Sequence, residues 1–253
     1  MRRSFSAVLF GCGVAALVWF EQRRALRPSR EAKLPHDVRN LIIACTAGIV
    51  SALVEAPIAK ALALKVEQKG WGLVPRLGLP DVVAVLLLDY TLYLWHVLTH
   101  QVPFLWRFHR VHHADLDLDA STALRFHFGE MLLSVPYRAA QILVIGVRPG
   151  ALSFWQGALF MSILFHHSNL RLPLRVERIL RLFIATPHLH GIHHSVRESE
   201  QNSNWTSGLT IWDRLHGTLE TEVSQRGIVI GIKGYERLAQ VTVPELLAMP
   251  FQA

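Results

Sequence analysis

Five apolar runs set the terms for this chain. Residues 4–20, 41–65, 79–98, 131–147 and 150–165 are predominantly apolar, and each has about the 17–25 residues a helix needs to cross a hydrocarbon core. Glu55 and Lys60 interrupt the second run only briefly. Core helices of soluble proteins can be as apolar, but five of them in 253 residues is more than one soluble core of that size uses. A segment in lipid must satisfy its own backbone hydrogen bonds. The expected fold is therefore all-α, a multi-pass membrane helical bundle of four or five spans.

The segments between the runs fix the topology. Residues 21–40 carry Arg23, Arg24, Arg27, Arg30, Lys33 and Arg39. Pro80 and Asp81 open the third helix, as proline and an acid suit a first turn. Val147-Arg148-Pro149-Gly150 reads as a tight turn joining the last two runs into a hairpin. Arg171, Arg175, Arg178 and Arg181 recur at helical spacing, so 171–184 reads as an amphipathic helix at the membrane interface. Beyond it the chain is polar, a cap rather than a span. Every histidine-rich segment falls on the same side as the basic connector 21–40, and the positive-inside rule makes that side cytoplasmic. Asn204-Trp205-Thr206 matches an N-glycosylation acceptor and is expected to stay unmodified there.

The net charge is +7, but no aromatic-basic nucleic-acid module accompanies it. The charge is read as topology and headgroup contact, with the membrane as partner and no nucleic acid. Cys12 and Cys45 lie in apolar runs outside any CxxC motif, which supports neither a disulfide framework nor a thiolate metal site. Arg2-Arg3-Ser4-Phe5 and Leu9-Phe10-Gly11-Cys12 faintly mimic export signals. The run continues to Phe20 and meets a basic stretch, as an uncleaved anchor does.

Fourteen histidines are the second constraint, and six fall in 96–127 and six in 166–194. His96-x3-His100 sets two imidazoles one helical turn apart on the same face. His109-x2-His112-His113 and His190-x2-His193-His194 each bring later imidazoles back near the face of the first. Eight imidazoles are too many for one metal and about right for two. Neutral imidazole suits iron, zinc, copper and nickel alike. The HExxH of zinc proteases is absent, as is the Glu-x-x-His of ferritin-like di-iron bundles. His36 and His216 stand apart and are expected to be bystanders.

The order HxxxH, HxxHH, HxxHH resembles the fatty acid hydroxylase superfamily, which includes sterol desaturases, methylsterol oxidases and alkylglycerol monooxygenase. Asp89-x3-Tyr93-x2-His96 is similar to the lead-in to that family's first box. Ser121-Thr122-Ala123-Leu124-Arg125, Thr186-Pro187 and Trp212-Asp213-Arg214-Leu215-His216-Gly217-Thr218 are similar to its other flanks. The likeness covers roughly 80–220. It implies a catalytic domain over 79–220, while residues 1–78 match only in being hydrophobic and are read from their apolar runs as membrane spans and basic connector, with 221–253 as a polar C-terminal cap tail. It also implies metal ligation by His96, His100, His109, His112, His113, His190, His193 and His194, with His167 and His127 as further candidates. Asp89 is two helical turns from His96, and a carboxylate in a span is costly and usually functional. The expected role is to accept a ring N–H from a ligand histidine.

The implied cofactors are two iron ions, with O2 as cosubstrate. The expected activity is hydroxylation or desaturation of a lipid-like substrate: a sterol, fatty acyl chain, ether lipid or carotenoid. The chain lacks GxGxxG and any cluster of cysteines, so electrons are expected from a separate ferredoxin or cytochrome with its reductase. An alternative is a non-catalytic metal-binding or metal-transport membrane protein, which would spread polar residues along several spans.

Overall fold

The computed structural model describes the backbone of residues 2–252 and the side chains of 11–252. The side chains of Arg2-Arg3-Ser4-Phe5, which mimic an export signal, therefore lie outside the described residues. Among the described residues the chain is helical, and the isolated bridges Ala25–Leu170, Ile184–Leu209 and Ser195–Ile230 are its extended pairings.

Helix α1 (Arg2–Arg23) leads to α2 (Lys33–Val50) and, through a widened turn at Ser51–Glu55, to α3 (Ala56–Lys69). Pro57 explains the widening. It has no N–H to give the Leu53 carbonyl, and the Ala56 N–H bonds instead to Ser51, five residues back. Helix continuity survives, so Lys33–Lys69 runs about 55 Å at 1.5 Å per residue. α4 (Leu73–Arg76) caps the far end. α5 (Asp81–Gln101) returns, α6 (Pro103–His113) breaks sideways at Pro103, and α7 (Phe128–Gln141) descends into a second wide turn at Ile142–Gly146. α8 (Pro149–His167) climbs back.

Two clusters hold the bundle. At the far end Ala59, Ala63, Val66, Ala84, Leu88, Ile142 and Trp155 form an apolar core. Small residues there allow backbones to touch: a Cβ on Gly72 would lie 2.3 Å from the Gly146 Cα, and Gly146 itself has φ +83°. Only glycine tolerates both conditions. At the other end Ile43, Val111, Leu246 and Met249 pack the C-terminal segment against α2 and α6.

Lys33–Arg76 and Asp81–Gln101 are long and apolar enough to cross a membrane by length and composition. Leu53, Val82, Val144 and Phe154 point outward along the bundle, where lipid rather than water suits them. Cys12 and Cys45 are free and exposed, so they do not serve the core. The expected amphipathic helix 171–184 is shorter than the arginine spacing suggests. α9 covers only Leu174–Leu180, because Pro173 caps its start and the chain turns at Arg181.

Candidate metal centre

α5, α6, α8 and α10 (Pro187–His193) deliver their histidines to one end of the bundle. The rings sort into two groups of four. His96, His100, His113 and His193 form the first, and His112, His167, His190 and His194 the second. In the first, the His96 and His193 Nε2 atoms are 3.1 Å apart, as are those of His100 and His113. In the second, His112–His167, His167–His190 and His190–His194 Nε2 separations are 3.0, 2.9 and 3.1 Å. Two imidazoles on one ion at ~2.1 Å, set at right angles, have nitrogens about 3 Å apart. The donor sets fit a metal ion each.

The outer ring nitrogens support this reading. His96 Nδ1 donates to the Trp205 carbonyl (2.5 Å), His193 Nδ1 to Ser203 (2.9 Å) and His167 Nδ1 to Ile163 (2.7 Å). Each such bond fixes the tautomer that leaves Nε2 as a lone-pair donor. His109 Nδ1 donates to Glu130 Oε1 at 2.8 Å, while its buried Nε2 has no protein partner and its ring packs on His96 and His100. Burial, reinforced by neighbouring imidazoles, pushes His112, His113, His190 and His194 well below the ordinary imidazole value. Burial takes His193 down to about 3. Neutral rings are the form that binds metal.

A family model described as fatty acid hydroxylase matches residues 82–218, more than half of the chain. The chain belongs to the fatty acid hydroxylase family. Among curated proteins it is 33% identical to an ornithine lipid hydroxylase of Rhizobium tropici over 171 residues, 67% of this chain and 50% of that protein. It is 33% identical to a cholesterol 25-hydroxylase-like protein of Danio rerio over 147 residues, 56% of each. The human alkylglycerol monooxygenase is 29% identical over 139 residues, 55% of this chain and 30% of that protein. The chain spans about half the length of the first two of these relatives. No solved structure matches it.

Within this member of the family two expected site residues do other work. Asp89 accepts no histidine N–H. Its Oδ2 takes the Leu209 N–H (3.1 Å) and the Trp212 indole N–H (2.7 Å), fixing the loop beyond Trp205. Asp89 lies two turns below His96, level with that loop rather than with the rings. His127 lies outside both groups: Nδ1 accepts the Gly129 N–H (2.9 Å) and Nε2 meets the Leu247 carbonyl (3.3 Å), so the residue caps α7. His36 bonds Asp115 (2.9 Å) and His216 meets the Tyr90 hydroxyl (3.2 Å), both away from the ring groups.

Two residues escaped sequence reasoning. Glu130, three residues past His127, is the carboxylate that holds a box histidine. His166 is buried against His190 with ring centroids 4.1 Å apart and neither nitrogen partnered. The signal for it was its adjacency to His167 alone. An apolar cavity of about 450 Å³ opens from His96, His109, His112, His167 and His190 and runs between α2, α5, α7 and α8.

Proposed function

We propose that this protein is an integral-membrane di-iron oxygenase that hydroxylates or desaturates a lipid using O2 and external electrons. The observation that carries the reading is the pair of four-histidine groups opening onto an apolar cavity inside the bundle. The relatives named as ornithine lipid hydroxylase and cholesterol 25-hydroxylase-like protein support a lipid substrate. His96, His100, His113 and His193 would hold one iron and His112, His167, His190 and His194 the other, with His109 as an added ligand. When bound, the irons supply oxygen activation, which no side chain provides.

The protein's own residues do the remaining work. Carbonyls of Ile163, Ser203 and Trp205 hold three rings in donor orientation. Leu92, Trp95, Phe126, Leu159, Phe160 and Ile163 line the cavity and keep water from the chain being oxidised. Gathering at one end of the bundle suits a closed site better than a path for ions. The proposed topology places this end in the cytoplasm, because the basic connector 21–40 shares it. Arg23, Arg24 and Arg171 border one surface pocket there and would steer an acidic ferredoxin or cytochrome. Residues 79–220 are proposed as the catalytic unit, with 1–78 as spans and connector and 221–253 as a cap tail.

The test replaces His112 and His113 with alanine in the full chain. Iron per protein should fall for both groups, and membrane lipids should lose the products carrying one extra oxygen or two fewer hydrogens. Full iron content together with wild-type lipid products would refute the assignment.

A further inference from the structure

The cavity that begins at the histidines does not stay apolar. Midway along the bundle it is lined by Glu55 and Arg138, whose Oε1 and Nε atoms are 3.5 Å apart. Glu55 ends the widened turn of the long helix, and Arg138 reaches it from α7. The guanidinium lies over the Trp155 ring, 4.5 Å from its centroid. Its Nη1 donates to Gln141 (2.8 Å), and Gln141 in turn donates to Thr91 (2.6 Å). The buried Nε faces the Glu55 carboxylate at ion-pair distance without a formed hydrogen bond. Ser51 and Ser134 line the same stretch.

An ion pair inside a lipid-facing bundle is costly to desolvate and is a poor source of stability. Its position is informative. Arg138 lies eight residues along α7 from Glu130, the carboxylate on His109, a rise of about 12 Å. The pair therefore lies in the histidines' own cavity, about 12 Å along α7 from the carboxylate that holds His109.

We propose that Glu55 and Arg138, flanked by Ser51 and Ser134, bind an uncharged hydrogen-bonding group of the lipid, a hydroxyl or an amide. That anchor sets which carbon, about 12 Å away, is presented to the histidine groups. This rests on the lipid-oxygenase reading and adds the substrate's chemistry to it. The pair is neutral as a unit. A charged ligand group would leave one charge uncompensated in a low-dielectric site, whereas a hydroxyl both donates to the carboxylate and accepts from the guanidinium. A plain hydrocarbon leaves those groups unsatisfied, and sites of this kind discriminate against it. Glu55 lies outside the family-matched residues 82–218, so this half of the anchor is not part of the family's common core.

The experiment measures retention of radiolabelled hexadecane, 1-hexadecanol, hexadecylamine and hexadecanoate by the iron-loaded full chain in detergent micelles. The wild type should hold the alcohol more than about tenfold tighter than the other three. The double variant Glu55→Leu/Arg138→Leu should bind alcohol and hydrocarbon alike. Should that variant fail to fold, Ser51→Ala/Ser134→Ala should cut the alcohol preference with iron content unchanged. Equal retention of alkane and alcohol by the wild type overturns the proposal. So does a preference for a charged probe, or a preference that survives both double variants. Failure of the oxygenase reading would appear separately, as absent iron with the alcohol preference intact.

Discussion

Asp115→Asn tests the frame that stands directly behind the second histidine box. Asp115 is fully buried and answers five side chains. Its Oδ1 faces His36 Nε2 (2.9 Å), Arg125 Nη1 (3.2 Å) and Arg39 Nη2 (3.6 Å), and its Oδ2 accepts from Thr122 (2.8 Å) and Asn40 (3.1 Å). An asparagine keeps the shape but must turn its NH2 toward one of these donor groups. It also leaves the fully buried Arg125 without a counterion. Removing one partner of a buried pair costs about 3–5 kcal/mol, and that is the expected loss. Denaturant unfolding in detergent micelles, followed by tryptophan fluorescence, measures it. Asp115→Asn/Arg125→Met removes both charges and should regain part of the loss. The pH dependence follows from the carboxyl's environment. Burial alone would raise its pKa, but Arg125 and His36 outweigh burial and hold it below the ordinary carboxylate range. A depressed folded value means stability present above the unfolded pKa of about 3.9 and lost as pH falls beneath it. His36, which Asp115 helps hold up to about 11, adds stability that is full below its unfolded value of about 6.5 and declines above it. The gap between wild type and Asp115→Asn should thus widen as pH falls from about 8 to about 6, hold to about pH 5 and close only below about pH 4. A cost under about 1 kcal/mol, or a gap that closes near neutrality, would refute the reasoning.

The other expectations are more local. His127→Ala should cost about 1 kcal/mol through loss of the α7 cap with iron content unchanged; loss of iron would return His127 to the ligand set. Glu130→Ala should weaken metal affinity on the order of 10–100-fold, because the His109 ring loses the acceptor that orients it. Competition with a chelator measures that, and an unaltered affinity would remove His109 from the centre. Turnover should require an added electron carrier and fall as salt rises, since the cap's arginines attract an acidic partner through screened charge; sustained turnover without any donor would exclude this scheme.

What was legible in the sequence was whatever repeats with helical period. Three histidine boxes at three- and four-residue spacing could be placed on helix faces, and eight predicted rings gather at one end together with His167. What was not legible was who holds the rings. Three of the acceptors are backbone carbonyls, of Ile163, Ser203 and Trp205, and a carbonyl leaves no mark in residue identity. The fourth is Glu130, which the motif search passed over because it follows no box. Asp89 was misread for the complementary reason. Helical phase put it on His96's face, but two turns of rise carry it to the Trp212 loop. The arginine spacing over 171–184 likewise reported periodicity without reporting that Pro173 starts the helix late. Asn204 shows the limit of a pattern match. Its side chain bonds the Leu189 and Glu220 carbonyls and is 2% exposed, so its modification state cannot report on which side of the membrane it lies.

The doubled histidines explain why the centre is built as a unit rather than as two independent sites. His112 goes to one group and its neighbour His113 to the other; His194 and His193 divide in the same way. Adjacent residues at the end of a helix point about 100° apart, so a single HH pair can serve two ions only if the ions lie on either side of it. α6 and α10 each do this, and the two pairs interlock where His113 stacks on His194 at 4.2 Å. That contact crosses between the groups. The neighbouring rings of each pair share one stretch of backbone, so a shift of that backbone moves both groups. On the two-ion reading, filling one group would order residues that the second group needs, and a second ion would bind a site whose ordering cost is already met. The HxxHH spacing thus does more than supply enough imidazoles: on that reading it would tie the occupancy of each metal position to the other through one peptide bond.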